Sequence, residues 1–281
     1  AELRGKGLVY EKDDATWFKT TEFGQEKDRV IIKSSGEPTY RLPDIAYHRE
    51  KFRRDFDWLI DIFGSDHIAT VPDVMAGVSA LGYDPSKVTV ILHQFVTLMR
   101  DGKQVKMSTR KATFVTVDDL LDEVGADVVR FFFMMRKPDS QLEFDLDLAT
   151  KESQENPVYY VQYGHARLCS ILRQAEEKGA TLLPPDKADI SLLVEEEEIQ
   201  LLKSMAAFPA MIESSALELA PHRVIFFLME LAGQFHSYYN KHKVIGEDSA
   251  LSSARLCLVK GLKTVFGNGL RIVGLTAPEK M

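Results

Sequence analysis

Hydrophobic and polar positions change their spacing several times along the chain, and the changes predict its organisation. Asp44 to Arg54 has helical spacing, with Ile45, His48 and Phe52 near one face and basic residues on the other. Asp57 to Phe63 is a short apolar run stopped by Gly64, the pattern of a buried strand. His67 to Leu81 follows as a helix, with Gly82 at its C-terminal stop and Pro85 beyond. Val88 to Phe95, rich in β-branched residues, makes a second strand. Strand, helix, strand is the order of a parallel α/β sheet. A further apolar stretch ends at Asp101-Gly102, a tight-turn pair that predicts a hairpin before Lys103.

After about Asp118 strand signals are expected to vanish. Asp118 to Val124 and Ala126 to Met135 read as two short helices separated by Gly125, and Leu142 to Asp147 as a connector. Leu148 to Lys178 reads as one long helical stretch interrupted at Asn156-Pro157. Val224, Leu228, Leu231, Phe235 and Tyr238 form an apolar stripe at intervals of four and three, and Val259, Leu262, Phe266, Leu270 and Val273 repeat it. The second half is therefore expected to be a helical bundle.

Composition narrows the class. The chain has 281 residues, 45% hydrophobic and 27% charged, the balance of a folded protein rather than a disordered or low-complexity one. No apolar run approaches the ~18–20 residues that cross a bilayer, and the N-terminal residues have no signal-peptide core. A cytoplasmic location without membrane contact is expected. Cys169 and Cys257 have no metal-ligand spacing and read as small buried hydrophobes. The net charge of −7 argues against a uniformly basic nucleic-acid binder. Its distribution is uneven. Arg100, Lys103, Lys106, Arg110 and Lys111 crowd one stretch against Asp101 alone, whereas Glu195 to Glu198 is an acidic run that reads as a solvated face.

The basic stretch, Asp101 to Lys111, offers ammonium and guanidinium charge, hydroxyls and backbone N–H groups to a polyphosphate. It is no P-loop, because Gly-x4-Gly-Lys-Ser/Thr occurs nowhere. Within it, Lys106-Met107-Ser108-Thr109-Arg110 resembles the Lys-Met-Ser-Lys-Ser signature of class I aminoacyl-tRNA synthetases, in the form seen among arginyl-tRNA synthetases. Thr39 to His48 is similar to that family's arginine-binding segment. Further resemblance runs through Phe114–Leu121, Val129–Phe132, Phe144–Ala149, Asn156–Tyr163 and Gly274–Met281, in order over essentially the whole chain.

The resemblance implies a partial Rossmann-type class I catalytic domain over 1–147 and an all-α anticodon-binding helical bundle over 148–281. It implies ATP-dependent activation of L-arginine and transfer to the arginine tRNA, by a monomer using ATP with Mg2+ and no tightly bound metal of its own. Lys106, Ser108 and Arg110 would act on the phosphates in catalysis. ATP would meet Lys106, Met107, Ser108, Thr109, Gly64, Asp66, His67, His93 and Gln94. Tyr40, Asp44 and Asp66 would hold arginine, since a guanidinium calls for a carboxylate and an aromatic wall. Without the resemblance, Asp44 reads more simply as the N-cap of the Ile45 helix. Tyr160, Tyr163, Arg167 and Met281 would meet the anticodon, where single-stranded bases need stacking faces and a nearby cation.

Two departures matter. Thr109 stands at the signature's second lysine. None of the histidines (His48, His67, His93, His165, His222, His236, His242) forms the partner signature His-x-Gly-His. The chain is thus expected to start partway through the catalytic domain, without the first sheet half and the N-terminal tRNA-elbow domain, and to be inactive alone. The alternative is a non-catalytic tRNA- or RNA-binding module with a vestigial nucleotide-binding half-domain.

Overall fold

The structure is a computed structural model that describes residues 1–105 and 115–281. Contacts divide the described chain into one unit of Ala1–Phe95 with Pro138–Gln141, and a second of Val96–Lys137 with Leu142–Met281.

The first unit opens with a short helix, α1 (Glu2–Gly5), and an antiparallel sheet, β1 (Val9–Lys12), β2 (Ala15–Phe18) and β3 (Arg29–Ile32), in that order. The β1–β2 turn is the two-residue Asp13-Asp14, both with positive φ, a backbone whose twist matches a hairpin. Next come α2 (Arg41–Arg53), β4 (Leu59–Gly64), α3 (Val71–Leu81) and β5 (Val88–His93). β4 and β5 pair in parallel from Leu59↔Val88 to Gly64↔His93, the expected strand–helix–strand. Phe18, Ile31, Ile45, Val74 and Ala80 make the core of this unit. At Gly77 α3 approaches α2 so closely that a Cβ would lie 2.4 Å from the Ile45 side chain, so a larger residue there must push the helices apart.

One strand differs from its expected burial. Along β4 only Leu59 and Asp61 are buried, while Ile60 and Ile62 are 43% and 67% exposed. The strand is one-sided, and the polar Asp61 occupies its inner face. Asp61 is tolerated there because its carboxylate meets His48 Nε2 at 2.6 Å and pairs with Lys51, both from α2.

The second unit contains β6 (Val96–Arg100), β7 (Lys103–Gln104), α4 (Val117–Val124), α5 (Ala126–Met134), β8 (Leu142–Asp145), α6 (Leu146–Ala149), α7 (Pro157–Glu177), α8 (Glu196–Leu217), α9 (His222–Lys241) and α10 (Ser249–Ile272). The β6–β7 hairpin forms at Asp101-Gly102, both left-handed at φ 51° and 66°, which is why the pair ends in glycine. α4 starts in a capping box between Thr116 and Asp119. Leu142 to Asp147 is not a connector. Its Leu142, Phe144 and Leu146 alternate into the core, and β8 pairs in parallel with β6. The expected end of strands near Asp118 is corrected by the same pairing, which a four-residue run between helices signals weakly. The stripes on α9 and α10 are buried as expected, with Leu228, Phe235, Tyr238, Leu262, Phe266 and Leu270 all fully enclosed. Residues 150–156 separate α6 from α7, with Asn156 as the N-cap of α7 and Pro157 at its first helical position.

The Glu195–Glu198 run is not simply a solvated face. Glu198 is fully buried: it accepts from Arg255 Nε at 2.7 Å, from the Tyr238 hydroxyl at 3.3 Å and from the Glu195 backbone N–H. Glu197 pairs with Lys241 and His242, which pull its carboxyl down to about 2. No helix among the described residues is long and apolar enough to cross a membrane.

Candidate functional site

The expected phosphate-binding residues Lys106, Met107, Ser108, Thr109 and Arg110 lie outside the described residues. Their flanks are described. Arg100 at the end of β6 pairs with Glu123 on α4, and the Asp101 N–H donates to the Asp147 carboxylate at 2.6 Å. Val105 and Val115 pack against the core of the helical unit.

In the first unit, Tyr40 is the N-cap residue of α2 and already has helical backbone angles, so Asp44 follows it by one turn and donates its N–H to the Tyr40 carbonyl at 3.3 Å. Asp44 therefore sits inside the helix and is not its N-cap, which corrects the simpler expectation. Tyr40 is 88% exposed. The helix beneath the two is fixed by buried pairs. Arg41 reaches the buried Asp73 carboxylate of α3 at 2.7 Å, where Arg29 of β3 also binds at 3.0 Å. His48 Nδ1 lies 2.8 Å from the Asp44 carbonyl while Nε2 meets Asp61. A cavity of about 470 Å3 in this unit lies on the other side of α2, against Leu42, Ile45 and Arg49, and neither Tyr40 nor Asp44 lines it.

The parallel register brings Gly64 beside His93 at the carboxyl ends of β4 and β5, the edge where open α/β sheets take ligands. Ser65 to His67 form one turn of 3-10 helix after Gly64. The Asp66 carboxylate folds back so closely that a Cβ on Gly64 would lie 2.5 Å from it. His67 stacks on Phe63, with ring centroids 5.5 Å apart, and its Nε2 is 4.0 Å from Asp66. His93 Nδ1 faces the Gln94 carbonyl at 2.8 Å, and the Gln94 N–H donates to Pro138 at 2.7 Å. Gly64, Asp66, His67, His93 and Gln94 thus form one polar group at one sheet edge.

In the second unit, a cavity of about 450 Å3 opens between α7, α9 and the C-terminal residues. Tyr163, Arg167, Arg173, Tyr239, Lys280 and Met281 line it. The Arg167 guanidinium lies over the Tyr239 ring at 4.4 Å and the Tyr163 ring at 5.5 Å, and donates to the Tyr163 hydroxyl. Tyr159 stacks on Tyr163 with centroids 6.1 Å apart. The result is a cation held among aromatic faces, beside two more cations and an exposed methionine. Three of the four expected anticodon residues, Tyr163, Arg167 and Met281, come together here. Tyr160 does not line the cavity; it packs on His236 at 4.7 Å and its hydroxyl approaches Gly233 on α9.

The sequence reading missed Tyr239, Arg173 and Lys280. Tyr239 stands next to the stripe residue Tyr238, and a 100° rotation on a helix carries it from the bundle core to the α7 side. An aromatic flanking a core stripe was the available signal.

Two histidines of this region are held below the ordinary imidazole value. Burial dominates for both His165 and His236, the charge of Lys263 adding to it at the first and that of Arg167 at the second. A neutral folded-state ring means that the unfolded chain takes up protons first as pH falls. Stability then drops as pH moves below about 6.5 toward the depressed values. Thermal melts followed by circular dichroism are expected to show a lower midpoint at pH 5.5 than at pH 7.5. His236→Phe should flatten that profile; an unchanged slope would show that this ring does not contribute.

Comparison with known proteins gives two family matches. Residues 1–142 match the catalytic domain of class I (R) tRNA synthetases, and residues 161–281 match the DALR anticodon binding domain. The arginine–tRNA ligase of Desulfotalea psychrophila is 73% identical over 280 residues, covering 100% of this chain and 51% of the relative. That of Salinibacter ruber is 52% identical over 279 residues, 99% of this chain and 49% of the relative. The chain thus spans about half the length of the curated relatives it matches. Among solved structures, a Campylobacter jejuni arginyl-tRNA synthetase superposes with a TM-score of 0.88 at 32% identity, over 100% of this chain and 60% of that one. Thermus thermophilus arginyl-tRNA synthetase, with a TM-score of 0.82 at 23% identity over 100% of this chain and 57% of that one, shares the fold.

Proposed function

Because this chain belongs to the class I tRNA synthetases of the arginine type, we propose that it serves an arginine–tRNA ligase, supplying part of the ATP and arginine sites from 1–147 and anticodon recognition from 148–281. In the first step an oxygen of the arginine carboxylate attacks the α-phosphorus of ATP, the bond to the bridging oxygen breaks, and pyrophosphate leaves. In the second step the ribose hydroxyl at the tRNA end displaces AMP. Negative charge gathers on phosphate oxygens in the first transition state, so donors already in place help most there. Lys106 supplies a point charge to the departing pyrophosphate, Ser108 a hydrogen bond, and Arg110 a bidentate clamp. Met107 and Thr109 complete the strip. Each polar contact of that kind is typically worth about 2–4 kcal/mol of transition-state stabilisation.

The polar group at Gly64, Asp66, His67, His93 and Gln94 borders the nucleotide, with Asp66 also facing the amino acid. Tyr40 and Asp44, one helical turn apart, offer the substrate guanidinium an aromatic face and a carboxylate. Mg2+ arrives with ATP as part of the substrate. A cytoplasmic monomer is part of the same proposal, and the family resemblance supports it.

The observation that carries this proposal furthest is the Tyr163–Arg167–Tyr239 ladder facing a cavity, within residues that match an anticodon-binding family. Stacking faces with an interposed cation are what unpaired bases require. Arginine-dependent exchange of pyrophosphate into ATP, measured with arginine tRNA present, tests the catalytic part. No His-x-Gly-His occurs in these 281 residues, and the chain alone is expected to give no exchange. Mixing it with the part of the Desulfotalea psychrophila relative that it does not span should restore exchange. Full exchange by the chain alone would refute the expected inactivity. Failure to complement, with RNA binding intact, would favour a non-catalytic RNA-binding module.

A further inference from the structure

Residues 274–281 form neither helix nor strand, yet they deliver Lys280 and Met281 to the wall of the cavity. Something must hold this tail, because an unpaired segment of eight residues loses its ordering entropy only against specific contacts. Leu275 is buried in the core, and the polar contacts come from α5, α7 and α10. Gln162 donates to the Thr276 carbonyl at 3.1 Å, and the Thr276 N–H donates to Asp127 of α5. Arg173 donates to the Glu279 carbonyl at 3.1 Å, and Lys263 of α10 pairs with the Glu279 carboxylate at 3.3 Å. Gln162, Asp127, Arg173 and Lys263 are all partly solvent-exposed, and water competes for bonds of that kind.

His165 differs. It is 4% exposed, and its Nδ1 lies 2.9 Å from the Pro278 carbonyl. A carbonyl oxygen only accepts, so Nδ1 carries the hydrogen and the ring is fixed in one tautomer. The other side of the ring is occupied as well. Cys169 Sγ lies 3.8 Å from Nδ1 and 3.9 Å from Nε2, and the α10 backbone passes at Gly267. The ring therefore cannot turn to another partner, and the Pro278 carbonyl, two residues before Lys280, has a buried donor.

We infer that His165 is the positioning residue of the candidate RNA site: its Nδ1–H holds the Pro278 carbonyl and so sets Lys280 and Met281 at the cavity. This rests on the proposed RNA-binding role of that cavity. His165 itself lies behind the tail and touches no RNA.

His165→Leu removes the donor, whereas His165→Asn puts an amide N–H near the place of Nδ1. Two measurements on the full chain are needed. The first is the linewidth of the Met281 methyl signal in methyl-13C-methionine NMR, assigned with Met281→Leu, without RNA. The second is the affinity for a stem-loop RNA copying the anticodon arm of an arginine tRNA. His165→Leu is expected to narrow the Met281 signal to that of a mobile chain and to weaken RNA binding about tenfold. His165→Asn should keep affinity within about threefold of native. Joint replacement of Lys280 and Met281 by alanine should weaken binding in the native background and change nothing further in His165→Leu, since both act through one element. A folded His165→Leu protein with an unchanged Met281 signal overturns the inference even where RNA binds. A mobile tail in that variant, with no RNA binding by the native chain, overturns the RNA-binding role and leaves His165 an anchor only. Additive losses would also overturn the inference, by showing that His165 does not act through the tail.

Discussion

Replacing Glu198 with alanine is expected to destabilise the helical unit by about 3–5 kcal/mol, the usual penalty for leaving a buried charge without its partner. The Glu198 carboxylate is completely enclosed and Arg255, from α10, is 11% exposed at its side chain. Arg255 also donates to the Lys243 carbonyl at 2.8 Å, so its guanidinium cannot swing out to water without giving up a second bond. The same carboxylate accepts the Glu195 N–H in the capping box of α8 and the hydroxyl of Tyr238, whose ionisation is pushed far up by burial and by this negative neighbour. One substitution thus releases α8, α9 and α10 together. Chemical denaturation followed by helical circular dichroism would measure the loss, and hydrogen exchange resolved to α8–α10 would separate it from melting of the first unit. Joint replacement of Glu198 and Arg255 by methionine is expected to recover most of it, because the costly species is the unpaired charge rather than the missing pair. A loss below about 1 kcal/mol for Glu198→Ala would show that the site relaxes or admits water.

Loss of the Arg167 guanidinium is expected to have the largest effect on RNA. Arg167→Ala should weaken binding of the anticodon-arm stem-loop by about 30-fold, or ~2 kcal/mol, a middle value for one stacking layer. Arg167 spans the gap between Tyr163 and Tyr239, so its removal frees two aromatic rings as well as deleting a cation. Arg167→Lys should restore little, since an ammonium cannot lie flat on Tyr239 while bonding the Tyr163 hydroxyl. Fluorescence anisotropy over a salt series would test both. Native binding should fade as salt rises, with a slope set by the number of phosphates that Arg167, Arg173 and Lys280 neutralise. Native-like affinity in Arg167→Ala would remove the ladder from the RNA site.

The helical half was legible because its apolar stripes repeat at a period that only one structure satisfies, and every residue of the α9 stripe is buried. The parallel β4–β5 pair was legible for a similar reason, from two β-branched runs and a helix with a glycine stop. What escaped was set by distant partners. β8 has four residues, and its strand character comes from pairing with β6, over forty residues earlier. The antiparallel sheet at the start of the chain left no clear alternation in four-residue strands with a shift of register at Thr16 and Trp17. Glu198 lies in an acidic run that looks solvated until α10 brings Arg255 to it. Within one helix, local spacing predicted which side chains meet, as with Tyr163 and Arg167 on α7. It failed for Tyr239, whose partner lies on α7, and could not show that Tyr160 faces α9 rather than the cavity.

The parallel pairing of β6 with β8 gives the lysine-bearing strip an unexpected owner. Both roots of residues 106–114, the half-buried Val105 and Val115, pack against the core of the second unit, and Arg100 and Asp101 are tied to α4 and to Asp147. The stretch proposed to grip triphosphate is therefore geared to the body proposed to hold the anticodon. A docked tRNA that tilts those helices is expected to carry Val105 and Val115 with them, since all belong to one contact unit.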